Sequence, residues 1–278
     1  MQCLVVVALL ALLLGIFLLL ANRRKKQSIS QAHQQIGACK LQLSALRQAL
    51  LRTIADDIVI STMDGYLYAT VQCKHGNFKI DLSDVHVSRA LLFYGEWMED
   101  EIRLLGKIIR EGDVVFDIGA NVGTHSIAFS RMVGASGKVF AFEPQPSVAQ
   151  LLVTTIDLNG LSNIEVVQSV VCESGTKRFK LDLEDKERIA GNQAGVSFTN
   201  MEIPEGEIPS ISLDQLVPLA PKLLTIDAEG MEVNVIKGAI KMISSCRPAI
   251  YTENHERKFS IPLLRALFDL NYICYWHL

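Results

Sequence analysis

Acidic residues follow several short apolar runs in the chain, and each run has the composition of a strand buried on both faces. These residues are Asp117, Glu143, Asp227, Glu229 and Glu253, and the amide of Asn254 stands beside the last of them. A single carboxylate at a strand end is usually a solvated loop residue. Because the carboxyl ends of parallel strands meet at one edge of a sheet, several such carboxylates together predict a ligand site.

The stretch from Asp117 to Gly123 has the spacing of a ligand-binding turn, and residues 124–132 after it have helical periodicity. Glycines such as Gly119 let the backbone approach a ligand closely, and the first turn of a helix has free N–H groups. The dinucleotide fingerprint G-x-G-x-x-G requires glycine where Asn121 stands, and the Asp117 carboxylate would repel a pyrophosphate. The turn therefore suits a ligand with a cationic end, such as S-adenosylmethionine.

Glu143 ends the strand that is predicted after the glycine turn. A carboxylate at this place can accept two hydrogen bonds from the diol of a ribose. Enzymes that bind NAD use the same arrangement, so Glu143 alone does not distinguish S-adenosylmethionine from a dinucleotide.

Strand and helix patterns alternate after residue 111, which predicts an α/β fold with a doubly wound parallel sheet. Strands are predicted at 114–116, 138–142, 164–172, 176–181, 223–226, 249–252 and 272–276. Helices are predicted at 124–132, 147–159, 212–216, 233–243 and 261–270, with an irregular segment at 182–210. Ahead of this domain at 111–278, residues 58–110 predict a small antiparallel cap and a helix at 96–110.

Residues 1–21 carry no charged side chain and are long enough to cross a bilayer core of about 30 Å. Basic residues at 23–26 come directly after this run, whereas a cleaved signal peptide would place its charges before it. An uncleaved single-pass transmembrane helix is therefore favoured over a cleaved signal peptide. The positive-inside rule then places the basic cluster and the rest of the chain on the cytoplasmic side of the membrane.

Residues 22–57 predict a basic flank followed by a polar helical stalk. Ile29, Ile36, Leu43 and Leu50 recur every seven residues and form a weak heptad seam. One interpretation is a single amphipathic helix that lies against the domain or the membrane. The other is a short dimeric stalk, in which residues 29–53 would join two copies of the chain.

The overall composition bounds the class of protein. With 49% hydrophobic and 21% charged residues the chain can build a large core, which excludes global disorder. A formal net charge of −3 gives no support for nucleic-acid binding. The six cysteines show neither C-x-x-C spacing nor the His/Cys cluster of a zinc site, so reduced and mostly buried thiols are predicted.

Several stretches of the chain resemble the FkbM family of S-adenosylmethionine-dependent methyltransferases. They read VVFDIGANVG at 114–123, FEPQP at 142–146, SLDQL at 212–216, IDAEGME at 226–232, IKGA at 236–239, PAIYTEN at 248–254 and YWHL at 275–278, with smaller matches at 95–97 and 195–197. The first stretch indicates only a class I methyltransferase. The D-x-E-G-x-E motif and the Lys-Gly-Ala after it narrow the resemblance to this family. It implies a Rossmann-like fold and methyl transfer, usually to a hydroxyl of a glycan or small natural product.

By analogy with methyltransferase folds, the resemblance assigns cofactor binding to Asp117, Gly119, Asn121, Gly123 and Glu143. Asp227 and Glu229 are the candidates for positioning the acceptor or for acting as general base. His125 and His255 are weaker candidates, and we interpret them as a first-turn helix residue and a solvated loop residue. No third ligand stands at a fixed spacing from Asp227 and Glu229, so no metal ion is predicted.

Two features depart from the family pattern. Thr225 stands where the family commonly has lysine, a change that could alter acceptor binding or the charge balance at this strand end. Relatives usually continue past the position of Leu278 with a segment that supplies the last antiparallel strand. The chain is therefore expected either to lack this strand or to be a truncated product, and an exposed sheet edge would favour aggregation.

The sequence predicts a membrane-anchored S-adenosylmethionine-dependent methyltransferase that transfers methyl to a hydroxyl of a glycan, lipid-linked or small-molecule acceptor. One alternative is a catalytically inactive, membrane-tethered binding or scaffold protein of the same fold, which the threonine at 225 and the short C-terminus motivate. A weaker alternative is an NAD-dependent oxidoreductase, because its cofactor also needs a carboxylate at the position of Glu143.

Overall fold

The computed structural model of the protein describes residues 58–63, 66–180, 206–254 and 257–277. The predicted anchor at 1–21 and stalk at 22–57 lie outside these ranges, as do His255, Leu278 and most of the predicted irregular segment. Within the described ranges, no helix is both long enough and apolar enough to cross a membrane.

Eleven strands and seven α-helices are found in the described residues. The strands are β1 Ile58–Met63, β2 Tyr66–Cys73, β3 Gly76–Asp81, β4 Val114–Ile118, β5 Lys138–Phe142, β6 Ile164–Val167, β7 Val170–Val171, β8 Arg178–Phe179, β9 Ile208–Ile211, β10 Leu223–Ile226 and β11 Ala249–Thr252. The helices are α1 Val87–Tyr94, α2 Glu99–Leu105, α3 Thr124–Val133, α4 Pro146–Leu158, α5 Glu232–Lys237, α6 Ile240–Cys246 and α7 Arg257–Asp269, and a 3-10 turn covers Leu213–Leu216.

The centre of the fold is a parallel sheet of five strands in the order β6-β5-β4-β10-β11. Its strands are short apolar runs because both of its faces are covered. In β4, Val115 packs with α2 and α3 on one face, while Phe116 packs with α5 to α7 on the other. The prediction of a doubly wound α/β fold is confirmed. Strand order reverses beside β4, and such sheets bind ligands in the crevice at that point.

The predicted antiparallel cap is confirmed as a second sheet, β1-β2-β3. It is not a separate layer, because its apolar face shares one core cluster with α1, α4 and the residues of the glycine turn. Hydrogen bonds join the two parts as well. The amide of Lys79 donates to Thr155 Oγ1 at 3.1 Å, and Asn159 Nδ2 donates to the carbonyl of Asn77 at 2.6 Å.

Two predicted helices and one predicted strand differ from the structure in length or continuity. The helix predicted at 96–110 is shorter, and α1, which the sequence analysis missed, ends before it at Gly95 with φ +72°. The helix predicted at 233–243 is two helices, because the chain at Gly238 packs so closely that a Cβ there would lie 2.1 Å from the carbonyl oxygen of Cys172. The strand predicted at 164–172 is divided into β6 and β7, and β7 joins β9 and β8 in a third sheet.

The last predicted strand, at 272–276, is wrong, since residues 272–277 pair with no strand of the described chain. Asn271, just before this segment, takes a left-handed conformation at φ +60°. Side chains hold the segment instead. The Arg247 guanidinium lies 4.2 Å from the ring centroid of Tyr272, and the Tyr272 hydroxyl donates to the carbonyl of Pro248 at 2.8 Å. In addition, the Tyr251 hydroxyl lies 3.0 Å from His277 Nδ1.

The glycine at the end of β4 is required by packing, which gives a stability prediction. Gly119 and Gly160 both have positive φ, at +86° and +60°, but a Cβ at Gly119 would lie 1.9 Å from the carbonyl oxygen of Asp227, whereas one at Gly160 would meet nothing within 4 Å. We expect Gly160→Ala to lower the free energy of unfolding by about 1 kcal/mol through backbone strain alone. Gly119→Ala should lower it by roughly 4 kcal/mol, because the two strand ends must also separate. Urea unfolding checks both values, and equal losses would contradict the packing argument.

Candidate active site

A cleft of about 1120 Å³ opens at the carboxyl edge of the central sheet, at the place where the strand order reverses. The register explains why the acidic residues meet there. Thr225 of β10 is paired with Asp117 of β4, and Ile226 is paired with Thr252 of β11, so the next residues, Asp227 and Glu253, leave the sheet at one edge. All the predicted site residues except Gly123 line this cleft, and Glu253, Asn254 and His125 line it too.

The backbone amides of the glycine turn are already used within the fold. Gly119 N and Ala120 N both donate to the carbonyl of Phe142, at 2.9 and 3.0 Å, and Gly123 N donates to the carbonyl of Ala120 at 2.9 Å. Asn121 N donates to Glu143 Oε2 at 3.0 Å. A pyrophosphate would need such amides free, so the geometry of the turn argues against a dinucleotide. Gly123 serves packing, since a Cβ there would lie 2.5 Å from the Leu152 side chain.

Asp117 is buried and lies one residue inside the end of β4. Two hydroxyl groups donate to its carboxylate: Ser126 Oγ to Oδ2 at 2.5 Å and Thr225 Oγ1 to Oδ1 at 2.9 Å. Both partners are neutral, so the charge of the carboxylate is positioned without being cancelled. Thr225 is thus part of the site. Where the family pattern has the cation of a lysine, this chain has a neutral hydroxyl donor, so the charge at this strand end is changed.

Glu143 is 4% exposed and receives two backbone hydrogen bonds. Asn121 N donates to one oxygen, and Gln145 N donates to the other at 2.9 Å. The pKa of Glu143 is raised to about 7, because burial and the charges of Asp117 and Asp227 together outweigh the two amides, which lower it. A carboxylate buried in this way has remaining lone pairs that face the cleft, which suits a ligand with adjacent hydroxyl donors.

The D-x-E-G-x-E motif forms a loop that is fixed by its last residue. Glu232 is buried, and its Oε1 accepts hydrogen bonds from Ala228 N at 3.2 Å and Gly230 N at 2.9 Å. Glu229 takes a left-handed conformation at φ +47°, which costs of the order of 1–2 kcal/mol for a residue with a Cβ. The motif therefore uses one carboxylate to hold the loop and presents the other two, Asp227 and Glu229, to the cleft.

A third carboxylate joins the two predicted catalytic residues. Ligand oxygens of Asp227, Glu229 and Glu253 all lie within 4.8 Å of one another. The prediction of a metal-free site rested on the lack of a third ligand, and that premise is wrong, because strand pairing brings Glu253 in from β11. The absence of a metal ion itself stays a prediction.

Asp227 and Glu253 form a hydrogen-bonded carboxyl pair. Although Asp227 is open to solvent through the cleft, the surrounding protein desolvates its carboxyl group and the charge of Glu253 adds to this effect, so its pKa is well above the usual range. Desolvation raises the pKa of Glu253 too, and the hydrogen bond from Asp227 lowers it. Desolvation and mutual repulsion therefore oppose a negative charge on both carboxyl groups at once.

His125 contacts the site, although the sequence analysis favoured a plain helix residue. Its Nε2 lies 3.4 Å from Glu101 Oε2 of α2, and both residues line the cleft. Burial lowers the pKa of His125, but Glu101 and the charges of Asp117 and Asp227 outweigh burial, so the pKa is raised. No spacing in the sequence indicates this contact, because α2 and α3 meet only in the folded chain.

Residues 117–274 match the sequence model of the FkbM methyltransferase domain. The chain belongs to the FkbM methyltransferase family. The resemblance stated from the motifs is therefore confirmed, the fold is Rossmann-like, and the cofactor of the domain is S-adenosylmethionine. This assignment argues against the alternative of an NAD-dependent oxidoreductase.

Individual relatives match shorter parts of the chain. The hexuronic acid methyltransferase AglP of Haloferax volcanii is 32% identical over 153 residues, which cover 53% of this chain and 58% of that protein. A protein-L-isoaspartate O-methyltransferase of Archaeoglobus fulgidus is 36% identical over 59 residues, or 21% of this chain and 27% of that protein. The crystal structure of an FkbM methyltransferase from Methylobacillus flagellatus is 18% identical, with a TM-score of 0.42, over 64% of this chain and 46% of that one. The chain thus spans under two thirds of the curated relatives that it matches.

The residues of the cleft fit S-adenosylmethionine, which supplies an electrophilic methyl group on a sulfonium when it is bound. Asp117 provides an uncancelled negative charge for the cationic part of this cofactor, and Glu143 provides a buried acceptor for its ribose hydroxyls. Asn121 takes a left-handed φ of +50° and thereby directs its amide N–H to Glu143. The roles predicted for these three residues remain proposals, and the geometry assigns Gly119 and Gly123 to packing.

The raised pKa of Glu143 predicts how the stability of the cofactor-free protein depends on pH. The folded state holds a proton up to about pH 7, whereas the unfolded chain releases it near the ordinary value of 4.5. The contribution of Glu143 to the free energy of unfolding is therefore fully present below pH 4.5. It falls by about 3 kcal/mol as the pH rises toward 7. We expect Glu143→Gln to flatten this fall, measured by urea unfolding at several pH values. Glu165→Gln, at a half-exposed carboxylate paired with Lys138, should keep the wild-type slope.

The hydroxyl of Thr225 predicts a measurable contribution to cofactor affinity. Thr225→Val keeps the shape of the side chain but removes the donor to Asp117, so the carboxylate is less firmly positioned. We expect the Kd for S-adenosylmethionine to rise roughly fivefold, equivalent to about 1 kcal/mol. Thr154→Val, which removes a hydroxyl bonded to the carbonyl of Gln150 within α4, is the matched control. Asp117→Ala should abolish binding, and calorimetry that finds unchanged affinity in this variant would refute the assignment.

Proposed function

We propose that the protein is a membrane-anchored O-methyltransferase that acts on a hydroxyl group of a glycan, a lipid-linked molecule or a small molecule. The observation that carries this proposal is the cluster of Asp227, Glu229 and Glu253 in the wall of the cleft, whose carboxylate oxygens lie within 4.8 Å of one another. A hydroxyl is a weak nucleophile unless its proton is removed, and this cluster provides a base within the same cleft.

The proposed chemistry follows from the charge of these carboxyl groups. The acceptor oxygen forms a bond to the methyl carbon, and the carbon–sulfur bond breaks with its electrons passing to sulfur. The acceptor proton passes to the carboxylate of the Asp227–Glu253 pair and then to solvent. Glu229, held beside the pair by the loop that Glu232 fixes, is placed to accept a hydrogen bond from the acceptor and to orient it.

The charge of the cleft supports a neutral acceptor. Three carboxyl groups lie together at its floor, and Asp117 and Glu101 add to them. A carboxylate acceptor would be repelled by this cluster, whereas a polyol such as a sugar can donate hydrogen bonds to it. The relative AglP is a hexuronic acid methyltransferase, which supports a sugar as the acceptor class. Because a hexuronic acid carries a carboxylate as well as hydroxyl groups, this relative supports the sugar and not the neutral charge of the acceptor.

The location is proposed from the sequence. The apolar segment at 4–21 and the basic residues at 23–26 support a single-pass anchor with the catalytic domain in the cytoplasm. A homodimer through residues 29–53 is the corresponding proposal for the stalk. Protease added to intact membrane vesicles of known orientation tests the topology, because only a domain that faces outward is digested.

The inactive scaffold is the second candidate, and it is favoured by one observation, the replacement of the family lysine by Thr225. The structure weakens this argument, because the threonine hydroxyl supports Asp117 at 2.9 Å. Labelled S-adenosylmethionine and membrane extracts decide between the two candidates. An enzyme transfers the label to an acceptor, whereas a scaffold does not.

The proton-accepting pair gives a mutational prediction. Asp227→Asn and Glu253→Gln each remove a carboxyl group from the pair, and we expect each to lower kcat by roughly 10² to 10⁴. The Kd for S-adenosylmethionine should change less than about threefold if the pair acts on the acceptor. Glu165→Gln is the control, since it removes a carboxylate from β6, the edge strand farthest from β11. Unchanged kcat in both site variants would exclude the pair as the base.

The nature of the product separates a hydroxyl acceptor from a carboxyl acceptor. A methyl ether survives mild alkali, whereas a methyl ester is hydrolysed and releases labelled methanol. We expect the labelled product to be stable under these conditions. Release of methanol would overturn the proposed hydroxyl acceptor while leaving methyl transfer itself established.

A further inference from the structure

Large apolar side chains are exposed around the mouth of the cofactor cleft. Four of them line the cleft and are open to solvent as well: Phe268, Ile273, Tyr275 and Trp276. Tyr275 is 87% exposed and Trp276 is 68% exposed, which is unusual for side chains of this size. Scattered single apolar residues need no explanation, but a group at the rim of a binding site indicates an interaction surface.

Helix α7 has basic and apolar side chains on its exposed side, and one of them, Phe268, belongs to this group. Lys258, Ile261, Arg265 and Phe268 are exposed and recur every three or four residues, so they lie on one side of the helix. The opposite side of the helix is buried through Leu263 and Leu267. Cations and apolar residues on one exposed helix face are typical of helices that lie at a bilayer surface.

The segment after α7 is held so that its aromatic side chains stay outward. Arg247 contacts the carbonyls of Leu270 and Asn271 and stacks on the ring of Tyr272, and His277 contacts the Tyr251 hydroxyl. These contacts fix both ends of the segment. Tyr275 and Trp276, between those ends, are presented to solvent by a fixed chain.

We propose that this rim face, consisting of Ile261, Phe268, Ile273, Tyr275 and Trp276 with Lys258 and Arg265, docks on the lipid surface of the membrane that holds the N-terminal segment. Tryptophan and tyrosine favour the interface between headgroups and acyl chains, because their rings have both apolar and polar parts. The two cations face anionic headgroups.

Lipid is favoured as the partner by the rest of the chain. The apolar run at 4–21 and the basic run at 23–26 place this domain beside a bilayer. Residues 22–57 join the apolar run to the domain and are numerous enough for the domain to reach the bilayer surface. Phe268 belongs both to the exposed side of α7 and to the rim of the cleft, and so joins the two groups of side chains.

The consequence for function is that the cleft opens at the membrane surface. An acceptor carried by a lipid, or one whose apolar part remains in the bilayer, would reach the carboxylates on the floor without leaving the membrane. This inference rests on the proposed membrane anchor. It does not depend on the proposed reaction, so it can be tested without an assay of methyl transfer.

Tryptophan fluorescence tests the docking directly, because the chain has two tryptophans, Trp97 and Trp276. The full chain with Trp97→Phe, reconstituted in vesicles of phosphatidylcholine and phosphatidylserine, reports on Trp276 alone. Replacing the acyl chains by brominated ones should quench this fluorescence at least twofold. The emission maximum of Trp276 in the vesicles should also lie at a shorter wavelength than that of an indole exposed to water. The matched variant with Trp276→Phe reports on the half-buried Trp97, which should be quenched less. Arg265→Glu should reduce the quenching of Trp276 in vesicles that contain phosphatidylserine.

Extraction with alkaline carbonate distinguishes the ways in which the proposal can fail. If the chain stays in the membrane but Trp276 is quenched no more than Trp97, the rim face does not contact lipid and the proposal is overturned while the anchor stands. Crosslinking of Trp276→Cys to a second copy in that case would identify a dimer interface instead. If carbonate releases the chain, the anchor proposal fails, and docking of an anchored domain fails with it.

Discussion

The close approach of two strand ends determines the site. The turn after β4 and the loop after β10 meet so tightly that the carbonyl of Asp227 occupies the space that a side chain at position 119 would need. This contact brings Asp117 and Glu143 into the same cleft as Asp227 and Glu229. Glycine is required at position 119 for this reason, and the turn amides beside it are used to hold the strand ends together rather than to bind a ligand.

Carboxyl groups collected at one edge of a sheet repel one another, and the fold limits this repulsion in three ways. Asp117 is held by neutral hydroxyls, which leaves its charge available to a cationic ligand. Glu143 is buried with two amides and therefore keeps a proton until about pH 7. Burial raises the pKa of both Asp227 and Glu253, which opposes a negative charge on both at once. A positively charged cofactor relieves the same repulsion. Binding of the cofactor is therefore coupled to the loss of protons from these carboxyl groups.

The sequence predicted those parts of the fold that depend on local pattern. The strands at 138–142, 223–226 and 249–252 have the predicted bounds, because continuous apolar runs between turn residues are distinctive of buried parallel strands. The errors occur where distant residues decide the outcome. Gly238 divides a helix because Cys172 packs against it, and residues 272–277 are held by Arg247 and Tyr251 rather than by a strand ladder.

The site residues follow the same division. Each acidic residue at a strand end could be recognised individually, and the family motif added the roles of Asp227 and Glu229. The sequence could not show that Glu253 completes a cluster with them, because the register between β10 and β11 makes that contact. Nor could it show the pair of His125 and Glu101, which depends on how α2 packs on α3. Spacing along the chain carries no information about such contacts.

The threonine at position 225 links the charge of the site to its substrate. Relatives commonly have lysine there, and a lysine beside Asp117 would add a positive charge to the edge where the carboxyl groups meet. With Thr225 the same carboxylate receives a hydrogen bond but no compensating charge. The cleft is then more negative than that of a lysine-bearing relative, which strengthens the attraction for a cationic cofactor and the repulsion of an anionic acceptor. The substitution that first suggested lost activity therefore keeps the support of Asp117 and changes only the charge beside it.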